Sequence, residues 1–124
     1  MVRELGLADR VTVLGYVSDA ELGALYRRAS VVAMPSLFEG FGLPVIEALG
    51  LGVPVVSTRC GALEEVSLGL ARYVEDPMSS SELASHLVDV LAEGDKPTAA
   101  DVEQVRARYD PRRVAGLYKA ALTG

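Results

Sequence analysis

The run Val31-Val32-Ala33-Met34, closed by Pro35 and followed by Gly40, Gly42 and Pro44, leaves this chain few ways to fold. A short, all-apolar run rich in β-branched residues suits a strand of a parallel sheet covered on both faces, and Pro35 ends its ladder because it has no N–H to donate. Gly40 and Gly42 allow a tight turn and bring the backbone close to whatever lies above it, where a Cβ would obstruct. Pro44 suits the first helical position, whose N–H has no partner in any case. Strand, glycine turn and helix in succession predict a unit whose next strand runs parallel to the first.

The same stretch carries the chemistry. The N–H groups of Phe41, Gly42 and Leu43 fall at a helix N-terminus, where they and the helix dipole favour an anion such as a diphosphate. Glu39 lies in the turn before the helix and Glu47 about one turn inside it, with seven residues between them. Carboxylates repel phosphate but accept hydrogen bonds from adjacent hydroxyls, which suits them to the diols of a sugar and a ribose. Diols on both sides of a diphosphate describe a nucleoside diphosphate sugar. A dinucleotide fingerprint is the local rival, since Gly40-Phe41-Gly42 begins that pattern. Its third glycine is replaced by Val45, and the next strand ends in Ser57-Thr58 without an acidic residue, so it is set aside.

From Gly15 to Glu65 the chain resembles the donor-binding half of a family 4 (group 1) glycosyltransferase of the GT-B fold, and Glu39 to Val56 matches that family's two-glutamate motif almost letter for letter. The resemblance implies a retaining transferase that moves a sugar from a nucleoside diphosphate sugar to an acceptor. It implies that Glu39 is the catalytic glutamate touching the donor sugar. It further implies that Gly40, Phe41, Gly42 and Leu43 hold the sugar and diphosphate, and that Glu47 takes the ribose hydroxyls. The family's Gly-Gly-x-Pro-Glu pattern has a partial counterpart in Gly61-Ala62-Leu63-Glu64-Glu65, which keeps the first glycine and the last glutamate; Glu65 is alternatively a cap for the next helical turn.

Composition removes other classes. The chain's 124 residues, half of them hydrophobic, supply one core and are too few for two domains. A formal charge of −5 gives no attraction to nucleic acid or to an anionic membrane surface. Arg27-Arg28 and Arg112-Arg113 read as solvated helix faces. A single cysteine, Cys60, rules out an internal disulfide and fits a reducing, cytoplasmic compartment. One histidine, one cysteine and no calcium-loop spacing leave no metal site, and no cofactor is expected. No run reaches the roughly 18 apolar residues of a membrane span, and the N-terminus carries no signal-peptide pattern.

Taken in order, residues 2–8 read as the last turns of a helix ending at Gly6, and Val11 to Gly15 as a strand. Ser18-Asp19-Ala20-Glu21 is a capping box opening a helix to about Ala29, with Leu22, Leu25, Tyr26 and Ala29 as its buried stripe. Tyr16 is read as packed. Val53 to Ser57 and Ala71 to Val74 are further strands, with a turn at Asp76-Pro77. Ser79 to Glu82 caps a helix to about Glu93 that buries Leu83, Leu87, Val90 and Leu91, stops at Gly94 and leaves His86 at its boundary. Helices from about Thr98 to Tyr109 and from Pro111 to Leu122 close the chain, the last capped by Asp110 and packed through Leu117, Tyr118 and Leu122.

The expected fold is therefore α/β, a partial Rossmann-like open parallel sheet with flanking helices, over a single truncated donor-binding domain at residues 1–124. By the resemblance, the first two strands of that domain and the N-terminal acceptor domain are absent. The strands at Val11 and Val31 should then pair directly, or a partner chain should complete the sheet. Basic residues that the family carries beside its first strand are missing too, so the isolated chain is expected to hold donor-site residues with little or no transferase activity. The rival readings are a non-catalytic module that completes a partner or is a degenerate fragment, and another GT-B member such as a sugar-nucleotide epimerase.

Overall fold

The structure is a computed structural model, and it describes residues 1–112. Three parallel strands, β1 (Val32–Met34), β2 (Val55–Thr58) and β3 (Arg72–Val74), form a sheet in the order β1-β2-β3. Val32 pairs with Val55 and Met34 with Ser57, while Ser57 pairs with Tyr73 across the other side of β2. Among the described residues the strands are connected and flanked by α1 (Asp19–Arg28), α2 (Leu43–Gly50), α3 (Leu63–Val66), α4 (Ser80–Glu93) and α5 (Ala99–Arg108). The alternation of strand and helix forces this parallel arrangement, because each crossover helix must return the chain to the same end of the sheet.

β2 is the central strand and is buried at all four residues. β1, expected to be covered on both faces, is not: Ala33 is exposed and its neighbours are half-buried, because β1 lies at the sheet's edge. The main core joins Val45, Ala48 and Leu49 of α2 to Val55, Leu63, Val66 and Val105, and a smaller one under α4 joins Val56, Val74 and Val90. α5 lies along α2, where the Arg106 guanidinium donates to the Gly50 carbonyl at 2.7 Å.

Caps explain most helix starts. Ser18 and Glu21 form the complete capping box of α1, and Thr98 with Asp101 does the same for α5. At α4, Ser79 caps the Glu82 N–H, but the Glu82 carboxylate accepts instead from the backbone of Glu75 and Asp76, at 2.7 and 3.0 Å. Half of the expected box is thus used to tie α4 to the turn after β3. Leu91 is another correction: at 55% exposure it faces outward, and the α4 stripe consists of Leu83, Leu87 and Val90.

Val11 to Gly15 joins no sheet among the described residues, so neither the strand nor its direct pairing with β1 forms. A strand exists only as a partner in a ladder, and the described residues offer this segment no strand to pair with. Its side chains stay largely in solvent, Val13 at 88%, and Tyr16 is 98% exposed rather than packed. Residues 2–8 make one closed turn, not several: Leu7 donates to Val2 and Gly6 to Arg3, the pairing that ends a helix. Asp110 accepts from the Arg112 N–H at 2.8 Å, as a cap would. The remainder of the helix expected to Leu122, with Leu117, Tyr118 and Leu122, lies outside the described residues.

Candidate functional site

The glycine turn sits where sequence spacing placed it, between the end of β1 and the start of α2. Gly42 is the N-cap residue of α2, in the left-handed region at φ 83°, and Leu43 and Pro44 open the helix, so proline occupies the second helical position instead of the first. Gly42 is required twice over. A side chain is strained at that φ, and a Cβ there would stand 2.6 Å from Leu63 Cδ2. Gly40, by contrast, meets nothing within 4 Å and has an ordinary φ, so neither conformation nor crowding in this chain demands a glycine there. The space over it is open.

No side chain caps α2, and its first turn carries no acidic residue. Among the described residues the N–H groups of Phe41, Gly42 and Leu43 donate to no acceptor. Such a cluster of free donors on a dipole's positive end attracts anions. Phe41 is about half exposed and stands edge-on to Tyr109, ring centroids 6.1 Å apart. Tyr109 in turn donates to the Val66 carbonyl at 2.7 Å, so the end of α5 and the end of α3 hold the Phe41 ring from below.

The two glutamates are not brought into one pocket. Glu39 is half-buried in the loop, its backbone carbonyl covered by Gly61, which has φ 57° and no room for a methyl group. Glu47 projects from α2 and accepts a hydrogen bond from the Tyr26 hydroxyl at 3.0 Å. It lines a cavity of about 930 Å³ between α1, α2 and α5, with Asp19, Leu22, Tyr26, Arg106 and Tyr109. Burial, then the hydrogen bond and charge of Glu47, push the Tyr26 phenol up to about 12. Tyr26 thus does more than its place in the buried stripe of α1 announces: it fixes the carboxylate that the motif singles out.

A second loop, from Thr58 to α3, lies against the first. Thr58 Oγ1 donates to the Ser36 carbonyl at 2.6 Å. Arg59 pairs with Glu64 and, at 3.0 Å, with Glu75, and its guanidinium lies 4.4 Å from the centre of the Tyr73 ring. Both carboxylates raise the pKa of Arg59. Glu65 sits inside α3 and does not cap it; the N-cap is Ala62, without a side-chain hydrogen bond. Among the described residues no group of three or more His, Cys, Asp or Glu is arranged to hold a metal ion, and no helix is long and apolar enough to cross a membrane.

Comparison with known proteins places this geometry in context. The family model "Glycosyl transferases group 1" matches residues 1–105. The MMP alpha-(1->4)-mannosyltransferase of Mycolicibacterium hassiacum is 48% identical over 66 residues, which are 53% of this chain and 16% of that enzyme. Sucrose-phosphate synthase from Thermosynechococcus elongatus superposes with a TM-score of 0.84 at 28% identity, over 98% of this chain and 32% of its own. An Anabaena protein solved in complex with UDP superposes equally well, TM-score 0.84 at 25% identity, over 98% of this chain and 34% of its own. The chain therefore spans about a third or less of the length of these proteins.

Proposed function

The chain belongs to the glycosyl transferases group 1 family, and we propose that it is the later part of the C-terminal, donor-binding domain of a family 4 retaining glycosyltransferase. The observation that carries this reading is the uncapped N-terminus of α2, with free amides at Phe41 to Leu43 and a glutamate on either side. The amides and helix dipole would take the diphosphate, with Gly40 leaving open space above the turn. Glu47, already oriented by Tyr26, would take the ribose hydroxyls beside the cavity between α1, α2 and α5, and Glu39 would hold the hydroxyls of the transferred sugar. The UDP bound by the Anabaena relative supports a nucleoside diphosphate as the ligand class.

In the reaction the bond between the sugar's anomeric carbon and the diphosphate oxygen breaks, and an acceptor hydroxyl bonds to that carbon from the same face while its proton passes to the departing diphosphate. Negative charge grows on the leaving diphosphate, so donors fixed around it stabilise the transition state more than the ground state. The amides at Phe41 to Leu43 are such donors. An acceptor domain, the first two strands of the donor domain and their basic residues would come from outside these 124 residues. Among the described residues the outer edge of β1 carries no further strand, and this, with the apolar groove formed by Leu14, Leu22, Leu25 and Val32, supports completion there. The same edge favours, as a second reading, a module that completes a partner chain without catalysing transfer. A reducing, cytoplasmic setting fits the single cysteine.

Calorimetric titration with UDP, GDP and ADP, repeated on Glu47→Ala, tests the site. A charge-assisted hydrogen bond is worth about 1.5–3 kcal/mol, so the variant should bind roughly ten- to a hundredfold more weakly. Equal binding by both proteins would remove Glu47 from the site. Turnover by the 124-residue chain alone, given a nucleotide sugar and an acceptor, would refute the expected inactivity of the isolated chain.

A further inference from the structure

The second loop reaches the glycine turn through Thr58 on Ser36, through Gly61 on the Glu39 carbonyl, and through Leu63 and Val66 behind Gly42. These contacts secure its inner side only. Its outer side is secured by Arg59, whose guanidinium meets Glu64 in the first turn of α3, Glu75 just beyond β3, and the face of Tyr73 within β3. The Tyr73 hydroxyl is itself bonded to Ser67 Oγ at 2.6 Å, at the end of α3. One planar fork thus joins both ends of the loop to the neighbouring strand. An ammonium cannot reproduce that, because it lacks the flat, multiply donating geometry.

We propose that Arg59 is a positioning residue for Glu39: by closing the Thr58 to Leu63 loop it presses Gly61 against the Glu39 backbone and sets where that carboxylate stands over the turn. In the donor reading above, on which this rests, Glu39 touches the transferred sugar, whereas the nucleotide is held by the helix N-terminus and Glu47. Loss of Arg59 therefore affects the sugar and spares the nucleotide. Each half-exposed ion pair is weak alone, but two pairs and a ring on one guanidinium act as a network, so the expected effect is about three- to tenfold.

The experiment compares wild type, Arg59→Ala, Arg59→Lys and Glu39→Gln in the full-length protein. The probes are the nucleoside diphosphate that binds most tightly among UDP, GDP and ADP, and its glucose and mannose derivatives. Arg59→Ala should weaken the nucleotide sugar about three- to tenfold and leave the nucleoside diphosphate unchanged, Arg59→Lys should fail to restore it, and adding Arg59→Ala to Glu39→Gln should cost nothing more. Gly61→Ala should show the same selectivity. A Glu-specific protease, with fragments read by mass spectrometry, should cut after Glu39 faster in Arg59→Ala and after Glu4 at the wild-type rate. Equal weakening of both ligands, or additivity with Glu39→Gln, overturns the proposal. So does an unchanged rate of cutting after Glu39, whatever the ligands do. If cutting after Glu39 speeds up while Glu39→Gln leaves nucleotide-sugar affinity untouched, the tie between the loops stands and the donor reading of Glu39 is what fails.

Discussion

Replacing Gly42 by alanine should be among the most damaging changes of a single methyl in this chain. Two costs add. A non-glycine residue at φ 83° loses roughly 1–2 kcal/mol to the clash of Cβ with its own backbone. The methyl also meets Leu63 Cδ2 at 2.6 Å, and Leu63 is fully buried, so relief requires moving α3 or leaving a side chain off its rotamer, about 1–3 kcal/mol more. The sum, roughly 2–5 kcal/mol, is a large part of the 5–15 kcal/mol that a domain usually has. Gly40→Ala is the internal control, because nothing stands within 4 Å of a Cβ there; its expected effect is within about 0.5 kcal/mol. Urea unfolding of both variants and wild type, followed by circular dichroism, reads the difference in midpoint. Equal midpoints for Gly42→Ala and Gly40→Ala would refute the assignment of strain and crowding to Gly42.

Tyr26→Phe removes the hydrogen bond to Glu47 and should cost about 0.5–1.5 kcal/mol by urea unfolding near neutral pH. The phenol's folded pKa, about 12, lies above its ordinary 10.0, so its contribution is complete below pH 10 and lost as pH rises toward 12; wild type should weaken over that window more than Tyr26→Phe, and identical alkaline profiles would contradict the pairing. The Glu82 carboxylate is shifted the other way, lowered by the N–H groups of Glu75 and Asp76. Its contribution is present above the ordinary value of 4.5 and lost as pH falls through the lower folded value, so Glu82→Gln should flatten the acid side of the stability curve measured from pH 5 downward. Leu49→Ala, at a fully buried position of α2, should cost about 2–5 kcal/mol, with a loss under 1 kcal/mol counting against the α2 face as the centre of the core.

What could be read from sequence was local in origin. The Ser18 box depends on residues three apart, and the turn before α2 on glycines and a proline in one short run, so both were placed by spacing, although Pro44 falls at the second helical position and not the first. β2 was recognisable from the apolar Val53 to Val56, although its last two residues, Ser57 and Thr58, are polar and are buried with their hydroxyls donating to backbone carbonyls. Glu82 shows where such reading stops: its spacing from Ser79 announces a reciprocal cap, yet two backbone donors arriving from the turn after β3 win the carboxylate. Leu91 lies four residues after Leu87, but Val90 one position earlier takes the buried place and Leu91 is turned out to solvent at 55% exposure.

The misread strand at Val11 and the unannounced role of Arg59 have one cause. Alternation and β-branching make a segment able to be a strand, but the ladder's hydrogen bonds belong to two segments, and the partner is written elsewhere or not in this chain. Arg59 likewise looks like an ordinary polar residue after a strand; its meaning comes from Glu64, Tyr73 and Glu75, which only the β2–β3 register brings within reach. That register sets Ser57 beside Tyr73 and Thr58 beside Val74, so the residue that follows β2 faces the one that follows β3. A parallel pair thus carries its two outgoing loops to the same edge in step. At that edge one loop steadies the other, which explains why the glutamate of the first loop depends on an arginine of the second, twenty positions away in sequence.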